Sequence, residues 1–148
     1  MTSVYRSLFM ASMALVVACA ADPASTFDGT WKLNTAKSKF QSPAKKGQTV
    51  TIGNEVTAIE ETLADGTHRK WSYKAGGGQD SQITGIENSS VTAKQVNDRT
   101  VEHTWKMDKG TSSGRGVVSR DGKTMTYTLT GKSPDGKPFK DVMIFEKQ

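Results

Sequence analysis

Three Asp-Gly dipeptides constrain this chain more than anything else in it. Asp65-Gly66, Asp121-Gly122 and Asp135-Gly136 each fall between runs of alternating apolar and polar residues. Asp-Gly is among the strongest short-range hairpin signals, because two-residue turns of the right twist need positive φ at both positions. The flanking runs have the strand period of two. Val50 and Ile52 alternate, as do Trp71 and Tyr73, then Val101, His103, Trp105 and Met107, then Met125, Tyr127 and Leu129. Their Thr, Val and aromatic content suits a pleated, half-buried surface. Apolar residues nowhere recur at helical three-and-four spacing over ten residues beyond the first twenty. "AGGGQD" at 75–80 and "ENSS" at 87–90 add further breaks. The expectation is all-β: eight to ten short antiparallel strands in a meander. That many strands must close on themselves to remove their edges, which predicts an up-and-down β-barrel.

The first twenty residues read differently. Arg6 is the only charge before Asp22, and "LFMASMALVVA" at 8–18 is an apolar run too short to span a bilayer but suited to a signal helix. Two cleavage points compete. "ACA" favours cleavage after Ala20, whereas "VVAC" resembles a bacterial lipobox and would make Cys19 the lipidated N-terminus. The expected organisation is a signal peptide over 1–20, a short linker over 21–26 and one barrel domain over 27–148. The expected location is periplasmic or secreted, with lipid anchoring through Cys19 under the second cleavage and no transmembrane span after either.

Cys19 is the only cysteine, so the domain has neither a disulfide nor a Cys nucleophile. Without Arg6 the balance is 19 basic to 15 acidic residues. That modest excess points to an anionic envelope surface rather than to nucleic acid, or it only keeps the protein soluble. Lys37, Lys39, Lys45 and Lys46 gather in the polar stretch that contains the longest expected loop, where a solvated role is the plainer reading.

Catalytic patterns are missing. His68 and His103 are the only imidazoles and have no metal-ligand spacing. Glu60 and Glu61 are adjacent, so they point to opposite faces of a strand and cannot pair. There is no Gly-x-Ser-x-Gly elbow, and the glycines at 76–78 lead into no helix. The chain is therefore expected to be no enzyme, with no cofactor and no metal.

The ends of the chain carry a resemblance. "FDGTWKL" at 27–33 resembles the first-strand signature of the calycin superfamily, the lipocalins and fatty-acid-binding proteins, in which a Gly-x-Trp plugs the closed end of the barrel. "VSRDGKTMTYTLTG" and the final "MIFEKQ" are similar to the last strands of fatty-acid-binding proteins. With "KSKF" attached, the start is also similar to small exported bacterial proteins of unassigned function. The resemblance implies a calycin-like barrel with Trp31 as plug. It also implies departures. Residues 41–48 are too few for the helix-pair lid. The Arg and Tyr that grip a carboxylate from the final strand correspond to Met143 and Phe145, and a further ligand-facing Arg to Val117. Arg115, two residues from Val117 and so on its face, is the expected substitute.

Parity then gives the site. Trp71, Tyr73, His103, Trp105 and Tyr127 should face the interior, with His103 and Arg115 as polar anchors for a small hydrophobic or amphipathic molecule. Arg69 shares the Trp71 face but lies near a turn, at the mouth or in solvent. The competing expectation is a barrel packed solid that acts as a structural or interaction module at the envelope. An interior space of several hundred Å3, roughly the scale of small-ligand pockets, separates the two.

Overall fold

The computed structural model describes residues 25–53, 55–75 and 77–148. The expected signal segment with Cys19, and most of the 21–26 linker, lie outside the described residues. The barrel domain is built of ten strands: β1 (Gly29–Lys39), β2 (Gly47–Gly53), β3 (Val56–Thr62), β4 (His68–Lys74), β5 (Asp80–Gln82), β6 (Ser90–Asn97), β7 (Thr100–Met107), β8 (Gly110–Val118), β9 (Thr124–Lys132) and β10 (Pro138–Lys147). All pair antiparallel in one sheet of order β4-β3-β2-β1-β10-β9-β8-β7-β6-β5. The described residues contain no helix, and so none long and apolar enough to cross a membrane.

Closure is nearly complete. The two ends of the sheet, β4 and β5, meet through a single bridge in which Ser72 and Thr84 exchange backbone hydrogen bonds of 2.9 and 2.8 Å. Gly85 lies flat against β4 beside it. A Cβ at Gly85 would sit 2.5 Å from the Lys70 carbonyl oxygen, and its φ is +97°, so both space and backbone require glycine there.

The three Asp-Gly turns are hairpins, but not of the two-residue type. In each, the Gly amide donates three residues back, to Leu63, Ser119 and Ser133, and positive φ falls on the Gly alone. The Asp instead accepts hydrogen bonds from the residues that follow: Thr67 and Lys123 donate backbone N–H bonds to Asp65 and Asp121. This is the longer hairpin connection that ends in a left-handed glycine.

The connection from β1 to β2 is short, residues 40–46. Asp141 of β10, buried, holds this loop: its carboxylate accepts the Gln41 and Ser42 amides at 2.8 and 3.0 Å and the Ser42 hydroxyl.

Two apolar clusters line the interior. One joins Phe27, Trp31, Leu33, Val118, Met125, Met143 and Phe145; the other joins Ile59, Trp71, Tyr73, Ile83, Val91, Ala93 and Trp105. Trp31 is 0% exposed, its indole N–H donates to the Phe27 carbonyl at 2.7 Å, and the Lys147 ammonium lies 5.1 Å from its ring centroid.

Candidate functional site

Cross-strand register stacks the inward residues of β2, β3 and β4 in layers. Gln48, Glu61 and Arg69 are neighbours at the end near the β3–β4 turn, followed by Val50, Ile59 and Trp71, then Ile52, Thr57 and Tyr73. β7 and β9 face them with Val101, His103, Trp105 and Met107, and with Met125, Tyr127 and Leu129. Between these walls lies a cavity of about 620 Å3. Every residue that strand parity sends inward on β4, β7 and β9 lines it, as does Arg69. Trp31 does not; it is buried in the first apolar cluster.

His103 sits at the centre of an aromatic box. Its ring stacks on Trp105 at 5.1 Å, and Tyr73 and Trp71 meet Trp105 edge-on at 5.5 and 5.6 Å. The Trp105 indole N–H donates to the Tyr127 hydroxyl at 2.8 Å. That hydroxyl lies 3.2 Å from His103 Nδ1, and the Tyr73 hydroxyl lies 3.1 Å from Nε2. A neutral imidazole has one donor and one acceptor, so one phenol donates to the ring and the other accepts from it. Burial disfavours every charged form here. It pulls the His103 pKa down to about 4 and pushes Tyr73 up to about 12 and Tyr127 higher still. The network is neutral. Among the described residues no cluster of His, Cys, Asp and Glu has the makings of a metal site.

Tyr127 fits because β8 gives way. Its inward face is Ser112, Gly114, Gly116 and Val118, and a Cβ on Gly114 would lie 1.8 Å from the Tyr127 hydroxyl oxygen. Two glycines on one strand face thus make the slot in which the phenol lies.

No family model and no curated protein sequence matches the chain. A solved structure does match: a mutant of the fluorescent protein UnaG, with a TM-score of 0.53 and 11% identity, over 83% of this chain and 96% of that one. The chain has a calycin-type fold. At 11% identity the likeness carries the fold and nothing about the ligand.

In this calycin-type barrel one expected anchor is misplaced. Arg115 points outward, its side chain 56% exposed and paired with Glu102 at 2.7 Å. It does share a face with Val117, but that face is the outer one, because Gly114 and Gly116 take the inner positions. Arg115 therefore does not line the cavity.

The charge that does reach the cavity comes from Glu61 and Lys45, neither expected there, and from Arg69, expected at the mouth or in solvent. The Glu61 side chain is 0% exposed, against 22% for Lys45 and 41% for Arg69. It accepts from Lys45 Nζ at 2.6 Å, Arg69 Nε at 2.6 Å, Trp71 Nε1 at 3.0 Å and Gln48 Nε2 at 3.2 Å. Burial by itself raises its pKa, but the two cations outweigh that and hold the carboxyl below its ordinary value. Glu60 points out to Lys70, so the two glutamates do take opposite faces. Lys45, expected in a solvated loop, is brought here by the segment that Asp141 holds. The available signal was parity: Ile59 and Glu61 share a face, as do Trp71 and Arg69.

Proposed function

We propose that this chain is an exported envelope protein whose barrel binds a small apolar or amphipathic molecule. The observation that carries the reading is the cavity of about 620 Å3, walled by Trp71, Trp105, Tyr73 and Tyr127. Such mostly apolar interiors with a few placed polar groups are the usual form of a ligand site. In this reading Trp31 acts as the plug of the barrel end, and the neutral His103 network supplies polarity without charge. Chemistry on the ligand is no part of it, since His103 spends both nitrogens on phenols rather than on a nucleophile or an acid. The solid interaction module is disfavoured by the same cavity.

Export rests on the 8–18 apolar run and the small residues after it. The domain boundaries proposed with it are a signal peptide over 1–20 and a mature barrel from 27, periplasmic or secreted. Metabolic labelling with palmitate decides the anchor: if Cys19 is lipidated, label is incorporated and Cys19→Ala abolishes it. Soluble, unlabelled protein that starts near Ala21 establishes simple secretion instead.

Native mass spectrometry on protein purified from its own envelope tests the binding reading. A retained small molecule, or saturable binding of an apolar fluorescent probe that changes Trp emission, is expected. A barrel that takes up neither is not a binding protein.

A further inference from the structure

The cavity is electrically lopsided along its axis. At the end beside the β3–β4 turn its lining includes Lys45, Arg69 and Glu61, two cations against one carboxylate. At the other end, beside the β2–β3 turn, the described lining carries Asp28 and Glu55 and no cation. Between them the lining is aromatic, aliphatic or neutral.

The cationic end has spare donors. Glu61 occupies only Nε of Arg69, and among the described residues no acceptor meets the two Nη groups. The Lys45 ammonium spends one of its three donors on Glu61. Both side chains are partly exposed while the carboxylate between them is not. Glu61 therefore works as a buried strut that aims two cations at the rim and leaves one net positive charge there. Deeper in, the His103 network is neutral and internally paired, so it would have to desolvate an anion without compensating it.

We infer that the Lys45–Glu61–Arg69 cluster is a head-group site at the rim, where an amphiphile is held by an acidic head while its apolar tail lies inward against Trp71 and Trp105. This rests on the proposal that the barrel binds a ligand. It runs opposite to a grip inside the barrel, where the final strand offers only the apolar Met143 and Phe145. A phosphate-ester, sulfate-ester or free carboxylate head would meet two Nη groups and an ammonium, with the acids of the far end disfavouring the reversed pose. Because the head lies at the rim, its size is not limited by the cavity; the width of the tail is.

Three probes test this on the full, unmodified protein by Trp quenching. They are an alkyl phosphodiester with a dye on its head, an alkyl phosphate with the same dye on its tail end, and the neutral alcohol of equal chain length, read by its displacement of a bound apolar dye. The head-labelled probe should bind at least about tenfold more tightly than the tail-labelled one. It should also bind about tenfold or more above the alcohol, as expected for charged hydrogen bonds. Arg69→Ala and Lys45→Ala should each erase most of the preference over the alcohol. Equal or tighter binding of the tail-labelled probe overturns the orientation, and equal binding of the alcohol overturns acid recognition; both leave the cavity reading in place. Failure of all three probes removes that reading as well. The comparison among probes uses one folded protein, so it stands even where a variant fails to fold.

Discussion

The hydroxyl oxygen of Tyr127 occupies the space in which a side chain at Gly114 would begin, 1.8 Å from an ideal Cβ. Glycine at 114 is thus a packing requirement rather than a backbone one. Gly114→Ala should displace the phenol, break its contacts with Trp105 and His103, and cost about 1–3 kcal/mol as an overpacked core. Gly116→Ala meets Tyr127 only at 3.2 Å and should cost less. Denaturant midpoints of the two variants give the order; a milder effect at 114 than at 116 would contradict the geometry.

Trp31→Ala should cost about 3–5 kcal/mol, the range for deletion of a core Trp. The ring is fully buried and its indole N–H is satisfied by Phe27, so no surface role absorbs the loss. An unchanged melting midpoint would mean that the first apolar cluster does not depend on it.

His103 should make the barrel acid-sensitive. Its folded pKa of about 4 lies below the ordinary 6.5. The unfolded chain therefore takes up a proton that the folded one refuses. The contribution is complete above about pH 6.5 and is lost as pH falls towards 4, about 3 kcal/mol over the window at 1.36 kcal/mol per unit. Tyr73 and Tyr127 stay neutral throughout, since burial raises both. Stability of His103→Gln, measured from pH 7 to 4, should be visibly flatter than that of the parent. Parallel curves would show that the imidazole is not kept neutral.

Glu61 acts in the adjoining window with the same sign. Its folded pKa is lowered, so its contribution is present above the ordinary carboxylate value and is lost as pH falls through the folded one. Glu61→Gln at neutral pH should cost about 1.5–3 kcal/mol, the loss of charged hydrogen bonds to Lys45 and Arg69. The same variant should lose part of the acid sensitivity below the His103 window, the rest belonging to carboxylates such as Asp80 and Glu146 that are also held low, read from the same unfolding series.

Strand parity made the barrel and much of its interior legible. Trp71, Tyr73, His103, Trp105 and Tyr127 each alternate with polar residues on a regular strand, so one face could be assigned without a structure. Parity failed on β8, where Val117 and Val118 are adjacent and either set could face in. The usable signal there was the pair Gly114 and Gly116, but it has meaning only once Tyr127 is seen to need the room. Glu61 was missed because a charge is expected outside, although alternation from Ile59 put it inside. Asp141 was missed in the same way, since it alternates with Met143 and Phe145. In both cases burial is made tolerable by donors brought from far along the chain: Lys45 for Glu61, and the 41–42 backbone for Asp141. Period-two reasoning carries no information about such partners.

The pairing of β1 with β10 also has a meaning in time. Every other adjacent pair in the sheet joins strands that are consecutive in sequence, so hairpins can form as the chain emerges. The β1–β10 seam cannot form until β10 arrives, and neither can the Asp141 hold on the loop that carries Lys45. Loop closure over so long a separation slows folding. A chain with this topology stays unlocked until β10 is in place. Truncation within β10 would thus release the 41–42 end of the loop that carries Lys45, although Lys45, Glu61 and Arg69 all lie in the first half of the sequence.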